Sequence, residues 1–370
     1  MNFLFDLTAI YDHLTGIERY SINISRNIIK NHPENNYTLI FKNEIHESFK
    51  DLCDQKNVEV VILKSCQKFL FIQWRLMRCL YKKKADKYIF LAFTSPWLFR
   101  RKGIINTIHD ISAWDCPGTR KWYLVWLSRI GIRNAVKVSE RIITVSNFSK
   151  KRIMEKLNVD ENRISVIYNG ISSNFLNFDR SLKKKVEEKY SLPSKYLLCL
   201  STLEPRKNMK LLIDSYLELK EQNKIDYSLV LAGRKGWKIK DVLGDEKKLL
   251  DNNVVLTGFI DDQDLPLIYY GAIAFVFPSL YEGFGIPVIE AMACGTIVIS
   301  SDSSSLPEVI GNAGLLFKNN SKQDLEDEIL KLNSMTDEEK DLIRKKAFQH
   351  AKDFSWEVEA EKLNNLLKKE

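Results

Sequence analysis

Residues 277–295 read FPSLYEGFGIPVIEAMACG, and this stretch indicates how the second half of the chain is built. The apolar run 272–277 predicts a buried strand, and the loop 278–285 that follows contains an acid and two glycines. An apolar helix then begins near Ile286 or Pro287, since proline suits a first helical turn, and ends at Gly295. Strand, glycine loop and helix N-terminus predict an anion site, because backbone N–H groups and the positive end of the helix dipole point into the loop.

Two carboxylates belong to this stretch. Glu282 lies in the loop and Glu290 in the helix, with seven residues between them. One interpretation is a solvated loop acid and an ordinary helix acid, but it leaves the Glu-Gly-Phe-Gly turn unexplained. An anion site flanked by two carboxylates favours a ligand that carries both phosphates and hydroxyls, such as a nucleotide sugar.

The length and composition bound the class of protein. A chain of 370 residues is longer than one hydrophobic core usually serves, so we expect two domains. No apolar run approaches the roughly 20 residues that span a bilayer. The N-terminal residues lack a basic segment and include Asp6, which predicts a first strand and not a signal peptide. Six cysteines without Cys-x-x-Cys spacing indicate reduced thiols of a cytoplasmic protein.

Apolar runs alternate with helical patterns in both halves, which predicts an α/β fold of two doubly wound, Rossmann-like domains with parallel strands. We expect the first domain over residues 1–178 and the second over 179–353, joined by a polar, charge-rich linker. Two such domains bind ligand at the carboxyl ends of their strands, facing across a cleft. The predicted strands are 2–7, 37–41, 58–63, 88–92, 104–108, 141–145 and 164–167, then 196–201, 227–232, 253–256, 272–277, 296–300 and 314–317.

A basic turn follows the first strand of the second domain and reads STLEPRKN over residues 201–208. It opens a predicted helix, where two cations oppose the helix dipole. Ser201, Arg206 and Lys207 are therefore candidates for binding an anion, and the alternative is a solvated basic turn.

The first half offers a different kind of candidate. His109-Asp110 ends the run 104–108, at the edge of an α/β sheet where ligands bind. A structural His-Asp pair is the alternative, in which Asp110 orients the imidazole or caps the next segment. Gly16 lies at the start of a helix that Thr15 and Glu18 are predicted to cap, and a simple turn also explains it.

The pattern P-S-x-x-E-G-F-G-x-x-x-x-E-A-M-A-x-G over residues 278–295 resembles the E-x7-E region of the family 4 retaining glycosyltransferases, which have the GT-B fold. The resemblance extends over the whole chain. It implies that Glu282 faces the transferred sugar and that Glu290 holds the ribose hydroxyls of a nucleotide sugar. It also implies that backbone amides take the diphosphate, at Gly283, Phe284, Gly285 and Ile286.

The resemblance gives the other candidates roles as well. Arg206 and Lys207 would neutralise the donor diphosphate, and His109 would contact the donor sugar or the reaction centre. Many members place the arginine earlier, where this sequence has Thr202. The E-P-R-K-N variant resembles bacterial mannosyl- and rhamnosyltransferases of surface polysaccharides. The final helix, about 354–370, would cross back onto the first domain. The loops that contain Gly233 and Phe259 would line the site of the nucleotide base.

The implied reaction moves a hexose, mannose from GDP-mannose being the favoured choice, to a hydroxyl of a lipid-diphosphate-linked surface glycan such as O-antigen or capsule. Retention and independence of metal are implied, with no other cofactor. Asp262-Gln263-Asp264 has a D-x-D spacing that binds metal in another glycosyltransferase fold, but we interpret it as capping the helix 264–271. Two other classes remain open: a GT-B epimerase or phosphorylase, and a non-enzymatic nucleotide-sugar-binding protein.

The positive charge is concentrated in the first half. Residues 1–178 contain 28 Lys and Arg against 16 Asp and Glu, and the remainder contains 28 against 32. Two segments, 68–84 and 120–133, mix these cations with aromatic residues, which suits an anionic membrane surface at the inner face of the cytoplasmic membrane. Ordinary core-facing helices with basic backs are the alternative. No nucleic-acid motif accompanies these segments, so we expect no nucleic-acid partner.

Overall fold

The computed structural model describes residues 1–10, 15–67, 70–92, 94–234, 236–237 and 239–369, which form two compact units. Unit 1 comprises Met1–Gly170 with Ser355–Glu370, and unit 2 comprises Ile171–Phe354. The division falls at Gly170 and not at residue 178, because the segment after it packs on unit 2. The ring of Phe175 lies 6.2 Å from that of Tyr269, and the Cys294 thiol donates to the Phe175 carbonyl at 3.7 Å.

Unit 1 is built on a seven-stranded parallel sheet with the strand order β3-β2-β1-β4-β5-β6-β7. Its central strands are continuous apolar runs, and every residue of β4 and β5 is buried because helices cover both faces. The strands are β1 Asn2–Asp6, β2 Asn36–Lys42, β3 Val58–Leu63, β4 Lys87–Phe90, β5 Ile104–Thr107, β6 Arg141–Thr144 and β7 Ile164–Val166.

The helices of unit 1 include the C-terminal one, which packs on the first. The Glu18 carboxylate accepts from the Thr15 N–H at 2.9 Å and closes the predicted capping box at the start of the first helix. His32 Nε2 lies 2.7 Å from a Glu361 carboxylate oxygen, which ties the two helices together. The helices are α1 Gly16–Asn31, α2 Lys50–Cys53, a π-helix Phe71–Leu76, α3 Met77–Lys82, α4 Ser112–Asp115, α5 Trp122–Val138, α6 Asn147–Leu157 and the C-terminal Trp356–Lys368.

Unit 2 is built on a six-stranded parallel sheet with the order β10-β9-β8-β11-β12-β13. The strands are β8 Tyr196–Leu200, β9 Ser228–Ala232, β10 Val254–Gly258, β11 Ala274–Phe277, β12 Ile297–Ser301 and β13 Leu315–Phe317. Its helices are α7 Ser173–Leu176, α8 Lys183–Lys189, α9 Met209–Glu221, α10 Ile239–Leu243, α11 Glu246–Asp251, α12 Leu265–Gly271, α13 Ile286–Ala293, α14 Leu306–Ile310, α15 Lys322–Ser334 and α16 Asp337–Ala351. The C-terminal helix of unit 1 is thus α17.

The prediction of two doubly wound, Rossmann-like domains is confirmed. In each sheet the strand order reverses beside the first strand, between β1 and β4 in unit 1 and between β8 and β11 in unit 2. Ligands of such sheets bind outside the carboxyl ends of the strands at this switch point. All six cysteines are free thiols. None of the helices in the described ranges combines the length and hydropathy that a membrane span requires.

Candidate active site

The loops after β8 and β11 flank the switch point of unit 2. They contain the residues that we predicted to bind the anion and the sugar. After β8, Pro205–Lys207 form one 3-10 turn. Asn208 follows in the left-handed region, with φ 51°, and separates this turn from α9. Arg206 and Lys207 therefore precede α9 and do not lie in its first turn, because Asn208 interrupts the helical geometry.

The two loops are bonded to each other through Arg206. Its carbonyl accepts from the Leu280 N–H at 2.9 Å. Its guanidinium Nη1 donates to the Tyr281 carbonyl at 2.6 Å. Neighbouring strands in the sheet thus deliver loops that are far apart in sequence into one rigid arrangement.

Glu282 lies at the centre of this arrangement and is buried. One carboxylate oxygen accepts from Arg206 Nη1 at 3.0 Å, and the other accepts from Lys207 Nζ at 2.6 Å and from the Ser279 hydroxyl. A second acid, Glu204, accepts from Arg206 Nη2 at 3.0 Å. The predicted cations and the predicted carboxylate are therefore one cluster, which the spacing in sequence could not show.

The opposite charges of this cluster stabilise each other's ionised forms. Burial by itself raises the pKa of a carboxyl, but the positive charges of Arg206 and Lys207 outweigh it. Together with hydrogen bonds from Lys207 and Ser279, they lower the pKa of Glu282 to about 2. Burial lowers the pKa of Lys207, the Glu282 carboxylate opposes that change, and the charge of Arg206 adds to it. Removing Glu282 would take away the carboxylate that the buried Lys207 ammonium pairs with.

Gly285 turns the loop into α13. Its φ is 106°, in the left-handed region that other residues rarely adopt, and a Cβ there would lie 2.8 Å from Leu306 Cδ2. Helix α13 then begins at Ile286, as predicted, with Pro287 in its first turn. The residues Gly283, Phe284, Gly285 and Ile286 thus form the strand-to-helix turn, with the positive end of the helix dipole beside the cluster.

Serine hydroxyls of the segment 301–305, at the carboxyl end of β12, fix the shape of this turn and were missed by sequence reasoning. Ser305 Oγ donates to the Glu282 and Phe284 carbonyls, both at 3.0 Å. The Glu282 N–H donates to Ser304 Oγ at 2.8 Å. Two further serines, Ser301 and Ser303, donate to the carbonyls of residues 279 and 280. The signal in sequence was the run Ser-Asp-Ser-Ser-Ser at the carboxyl end of a strand.

Glu290 lies on α13 and is buried, 5% exposed. Its carboxylate accepts from the Tyr269 hydroxyl at 3.0 Å, and Tyr269 belongs to α12. A neighbouring helix therefore holds this side chain.

Ser201, Gly233 and Phe259 lie at the carboxyl ends of the adjacent strands β8, β9 and β10. Gly233 has a φ of 130°, and a Cβ there would lie 2.0 Å from the Ser201 carbonyl oxygen. The Phe259 ring is 47% exposed, and the Arg234 guanidinium lies 4.6 Å above its centre. Lys235 lies outside the described residues. This edge of the sheet therefore carries an exposed aromatic ring with a cation over it.

His109 and Asp110 are part of unit 1 and have separate partners. His109 Nε2 donates to the Leu91 carbonyl at 2.8 Å, and the imidazole meets the Tyr20 ring edge-on at 5.1 Å. Burial lowers the pKa of His109, against the opposing effects of the Leu91 hydrogen bond and of nearby acids. Asp110 accepts from the Ser112 N–H at 2.8 Å, so it caps the next segment, and Leu91 orients the imidazole.

The two remaining residues, Gly16 and Asp264, each lie at the start of a helix. Gly16 is the first residue of α1, next to residues 11–14, which lie outside the described part. Asp264 is the residue before α12, but its side chain makes no capping hydrogen bond, so our capping interpretation is wrong. Its carboxylate accepts instead from Lys189 Nζ at 2.6 Å and from the Tyr190 hydroxyl at 2.9 Å, because α8 packs beside it.

Solved structures of other proteins share this fold along the chain. WaaG, a glycosyltransferase involved in lipopolysaccharide biosynthesis, matches with a TM-score of 0.76 at 14% identity and covers 100% of both chains. Alr3699/HepE from Anabaena, in complex with UDP-glucose, matches with a TM-score of 0.75 at 18% identity, over 99% of both chains. These similarities show that the chain has the GT-B fold.

Sequence comparison identifies the family. The Glycosyltransferase Family 4 model matches residues 14–175, and the Glycosyl transferases group 1 model matches residues 181–349. The O-antigen chain mannosyltransferase B of Escherichia coli is 34% identical over 261 residues, which are 70% of this chain and 68% of that protein. The chain therefore belongs to the glycosyltransferase family that these two models describe and that includes the O-antigen chain mannosyltransferase B.

Two further relatives are similar over less of their length. The O-antigen chain mannosyltransferase RfbU of Salmonella typhimurium is 31% identical over 253 residues, 67% of this chain and 65% of that protein. The serotype-specific mannosyltransferase WbdA of Escherichia coli is 32% identical over 251 residues, 65% of this chain but only 29% of that longer protein.

Proposed function

We propose that the protein transfers mannose from GDP-mannose to a hydroxyl group of a growing, lipid-diphosphate-linked surface glycan, with retention at the anomeric carbon. The observation that carries this proposal is the buried cluster of Arg206, Lys207 and Glu282 at the switch point of unit 2. The names of the relatives, O-antigen mannosyltransferases, support mannose as the sugar and a surface glycan as the acceptor. Such a reaction belongs at the inner face of the cytoplasmic membrane.

The cluster suits the charge that develops during transfer. As the bond between the anomeric carbon and the phosphate oxygen breaks, negative charge builds up on the leaving diphosphate. Arg206, Lys207 and the N-terminal turn of α13 are fixed before the reaction, so they stabilise this charge without rearranging. Because these groups supply positive charge themselves, we propose that transfer needs no divalent metal. Activity that is lost in excess chelator and restored by Mg²⁺ or Mn²⁺ would contradict this.

Retention requires that the acceptor oxygen attack the face that the diphosphate leaves. In the proposed step, the acceptor oxygen forms the new bond to the anomeric carbon, and its proton passes to an oxygen of the departing phosphate. Glu282 accepts from the sugar hydroxyls and positions the donor. Glu290, oriented by Tyr269, accepts from the ribose hydroxyls.

The family resemblance adds a proposed role for His109 at the transferred sugar. Its lowered pKa makes the neutral imidazole the reactive form, with the proton on Nε2 held by the Leu91 carbonyl and Nδ1 left as an acceptor. A neutral ring avoids adding positive charge next to a sugar that itself becomes oxocarbenium-like.

One assay separates this proposal from the other classes. GDP release that depends on added acceptor is expected for a transferase. An epimerase converts the nucleotide sugar without acceptor, a phosphorylase consumes free phosphate, and a binding protein releases no nucleotide. The donor is tested by thermal shift with GDP-mannose, dTDP-rhamnose, UDP-glucose and UDP-galactose, because a ligand that binds the native state raises the unfolding midpoint. A larger shift with a UDP-sugar than with GDP-mannose would overturn the choice of donor.

A further inference from the structure

A second pocket lies in unit 2, at the edge of the sheet where its strands begin. Its volume is about 560 Å³, which is within the usual range of small-molecule sites. Ala272 and Gly295 line it, and these residues stand just before β11 and β12 in the chain. The cluster of Arg206, Lys207 and Glu282 lies at the carboxyl ends of β8 and β11, so the two sites are at opposite edges of one sheet. We call the second site the amino-edge pocket.

One face of α16 forms a wall of this pocket. Four of its residues have the helical spacing i, i+3, i+4 and i+7 and therefore lie along one side of the helix. They are Asp341, Arg344, Lys345 and Phe348. The buried residues of α16 are two alanines, so core packing does not account for this face. It presents two cations, one acid and one aromatic ring to the pocket.

Arg180 belongs to the opposite wall and is held by aromatic rings. Its guanidinium lies 4.7 Å from the centre of the Tyr270 ring and 5.8 Å from that of Phe178. These two rings pack edge to face at 5.7 Å. Within the described ranges Arg180 makes no hydrogen bond and no ion pair. A planar set of N–H donors is thus fixed in position and available to a ligand.

The charge of the pocket suits a doubly charged anion. Of the four cations that line it, Arg344 pairs with Asp341 at 2.9 Å, and Lys183 pairs with an acid of its own helix at 3.3 Å. Arg180 and Lys345 form no ion pair with any acid in the part of the chain that the structure describes. A phosphate monoester carries a charge of about −1.5 to −2 at neutral pH, which these two cations match.

The floor of the pocket is uncharged. It contains Cys294 and Gly295, at the C-terminus of α13. The negative end of a helix dipole resides on unbonded carbonyls, but the last carbonyls of α13 accept from the N–H groups of residues 294–296. Burial and the Glu290 carboxylate raise the pKa of the Cys294 thiol well above its usual range, and the charge of Arg180 opposes this without reversing it. The thiol therefore stays neutral.

Groups that bind hydroxyls stand beside the cations. The Tyr270 hydroxyl has no hydrogen-bond partner among the residues that the structure describes. The exposed Asp341 carboxylate offers acceptor oxygens in addition to its contact with Arg344. The half-buried ring of Phe348 gives an apolar surface on which a sugar ring can pack. Contacts for a phosphate, for hydroxyls and for a ring together describe a phosphorylated sugar.

We propose that the amino-edge pocket binds a small phosphorylated sugar, with its phosphate on Arg180 and Lys345 and its hydroxyls on Tyr270 and Asp341. This site goes beyond the proposed function, because it takes part in no step of the transfer. Helix α13, which has eight residues and is about 12 Å long, begins at the proposed diphosphate turn and ends at this pocket. The ligand is thus separate from the donor, although one helix borders both sites.

Isothermal titration calorimetry with the full chain, in a buffer free of phosphate and sulfate, tests this. The ligands are mannose 6-phosphate, glucose 6-phosphate, unphosphorylated mannose, inorganic phosphate and AMP, each titrated with saturating GDP present so that the donor site is filled. The charge variant combines Arg180→Gln and Lys345→Gln, and a second variant is Tyr270→Phe. The matched control, Lys247→Gln with Lys248→Gln, makes the same change of net charge at exposed positions of α11.

We expect a hexose 6-phosphate to bind the wild type and the control equally, and to bind the charge variant at least about tenfold more weakly. Tyr270→Phe should weaken the hexose phosphate about threefold and leave inorganic phosphate unchanged, because it loses only a contact to hydroxyls. Equal binding by the charge variant and the control would overturn the proposal. So would tighter binding of mannose, inorganic phosphate or AMP than of either hexose phosphate, or the absence of hexose phosphate binding while GDP is bound.

Vesicles of phosphatidylcholine with phosphatidic acid present the same phosphate monoester on a lipid. We expect no flotation that depends on Arg180 and Lys345. Flotation that the charge variant loses would assign the pocket to a lipid headgroup and overturn a soluble sugar as its ligand. The unfolding midpoint without ligand should be the same for this variant and the wild type, since both side chains are exposed.

Two measurements distinguish failure of this inference from failure of the proposed function. Thermal shift with GDP-mannose reports the donor site and should be the same for the charge variant and the wild type. A Glu282→Gln protein should still bind the hexose phosphate. Loss of hexose phosphate binding together with an unchanged donor shift therefore concerns the amino-edge pocket alone.

Discussion

Lys207 Nζ lies 2.6 Å from the carboxylate of Glu282, although the two residues are 75 positions apart in sequence. The turn that carries Lys207 follows β8, and the loop that carries Glu282 follows β11, the next strand in the sheet. The contact is made at the switch point, where the doubly wound topology brings these two loops together. Burial in this position makes the charge of each residue depend on the other.

The first prediction concerns catalysis. Glu282→Gln keeps the shape of the side chain but removes the charge that pairs with Arg206 and Lys207. We expect the kcat for acceptor-dependent GDP release to fall at least about a hundredfold, because the donor sugar loses a fixed charged acceptor of its hydrogen bonds. GDP binding should persist, since both cations remain. Glu328→Gln, an acid on α15 that pairs with Lys331, is the control. Near-normal turnover by Glu282→Gln would remove Glu282 from the proposed mechanism.

The second prediction concerns pH and stability. The pKa of Glu282 is lowered from 4.5 to about 2, so its ionised form is stabilised by folding. A lowered folded pKa contributes stability that is fully present above pH 4.5 and is lost as pH falls towards 2. Relative to Glu282→Gln, the wild type should be more stable by about 3 kcal/mol at neutral pH. Urea unfolding at a series of pH values measures the difference, and a gap that stays constant down to pH 2 would contradict the assigned cause.

The fold was predictable because its strands are continuous apolar runs. β11 and β12 are buried along their whole length, and such runs separated by helical patterns leave a parallel sheet as the consistent arrangement. The strand-to-helix turn at Gly285 was predictable for the same reason, since glycine and proline mark it in sequence. These are local signals that each residue carries by itself.

The contacts within the site depend on topology and could not be predicted from local signals. The run Ser-Asp-Ser-Ser-Ser marks the segment in sequence, but it does not indicate that the Ser305 hydroxyl donates to the Glu282 carbonyl, 23 positions away. Our interpretation of Asp264 as a cap failed because Lys189 and Tyr190, far away in sequence, compete for its carboxylate.

The third prediction concerns the turn into α13. Gly285→Ala places a Cβ at a φ of 106° and 2.8 Å from Leu306 Cδ2, so the turn must shift or the backbone must be strained. We expect a loss of about 1–3 kcal/mol in the free energy of unfolding and a weaker thermal shift with GDP. Gly118→Ala is the matched control, because its Cβ would meet no atom within 4 Å. Unchanged GDP binding by Gly285→Ala would show that the turn does not take the diphosphate.

The fourth prediction concerns the serine segment. Ser305→Ala leaves the buried carbonyls of Glu282 and Phe284 without the hydroxyl that both accept from. We expect kcat to fall about tenfold while the protein stays folded at 25 °C, because the loop loses its fixed shape but not its charges. Ser305→Thr keeps the hydroxyl and should recover part of the activity. A Ser305→Ala enzyme that loses stability but keeps kcat would assign these hydrogen bonds to folding alone.

The fifth prediction concerns the nucleotide base. Phe259 and Arg234 form an exposed stacked pair at the end of β10, 4.6 Å apart, on the edge that also carries the Arg206–Lys207 turn. If this pair walls the base, Phe259→Ala should raise the KM for GDP-mannose about tenfold and leave kcat within about twofold, because stacking is equal in the ground and transition states. Leu250→Ala, at an equally exposed apolar position on α11, should change neither constant. A fall in kcat with an unchanged KM would place Phe259 near the reacting sugar and away from the base.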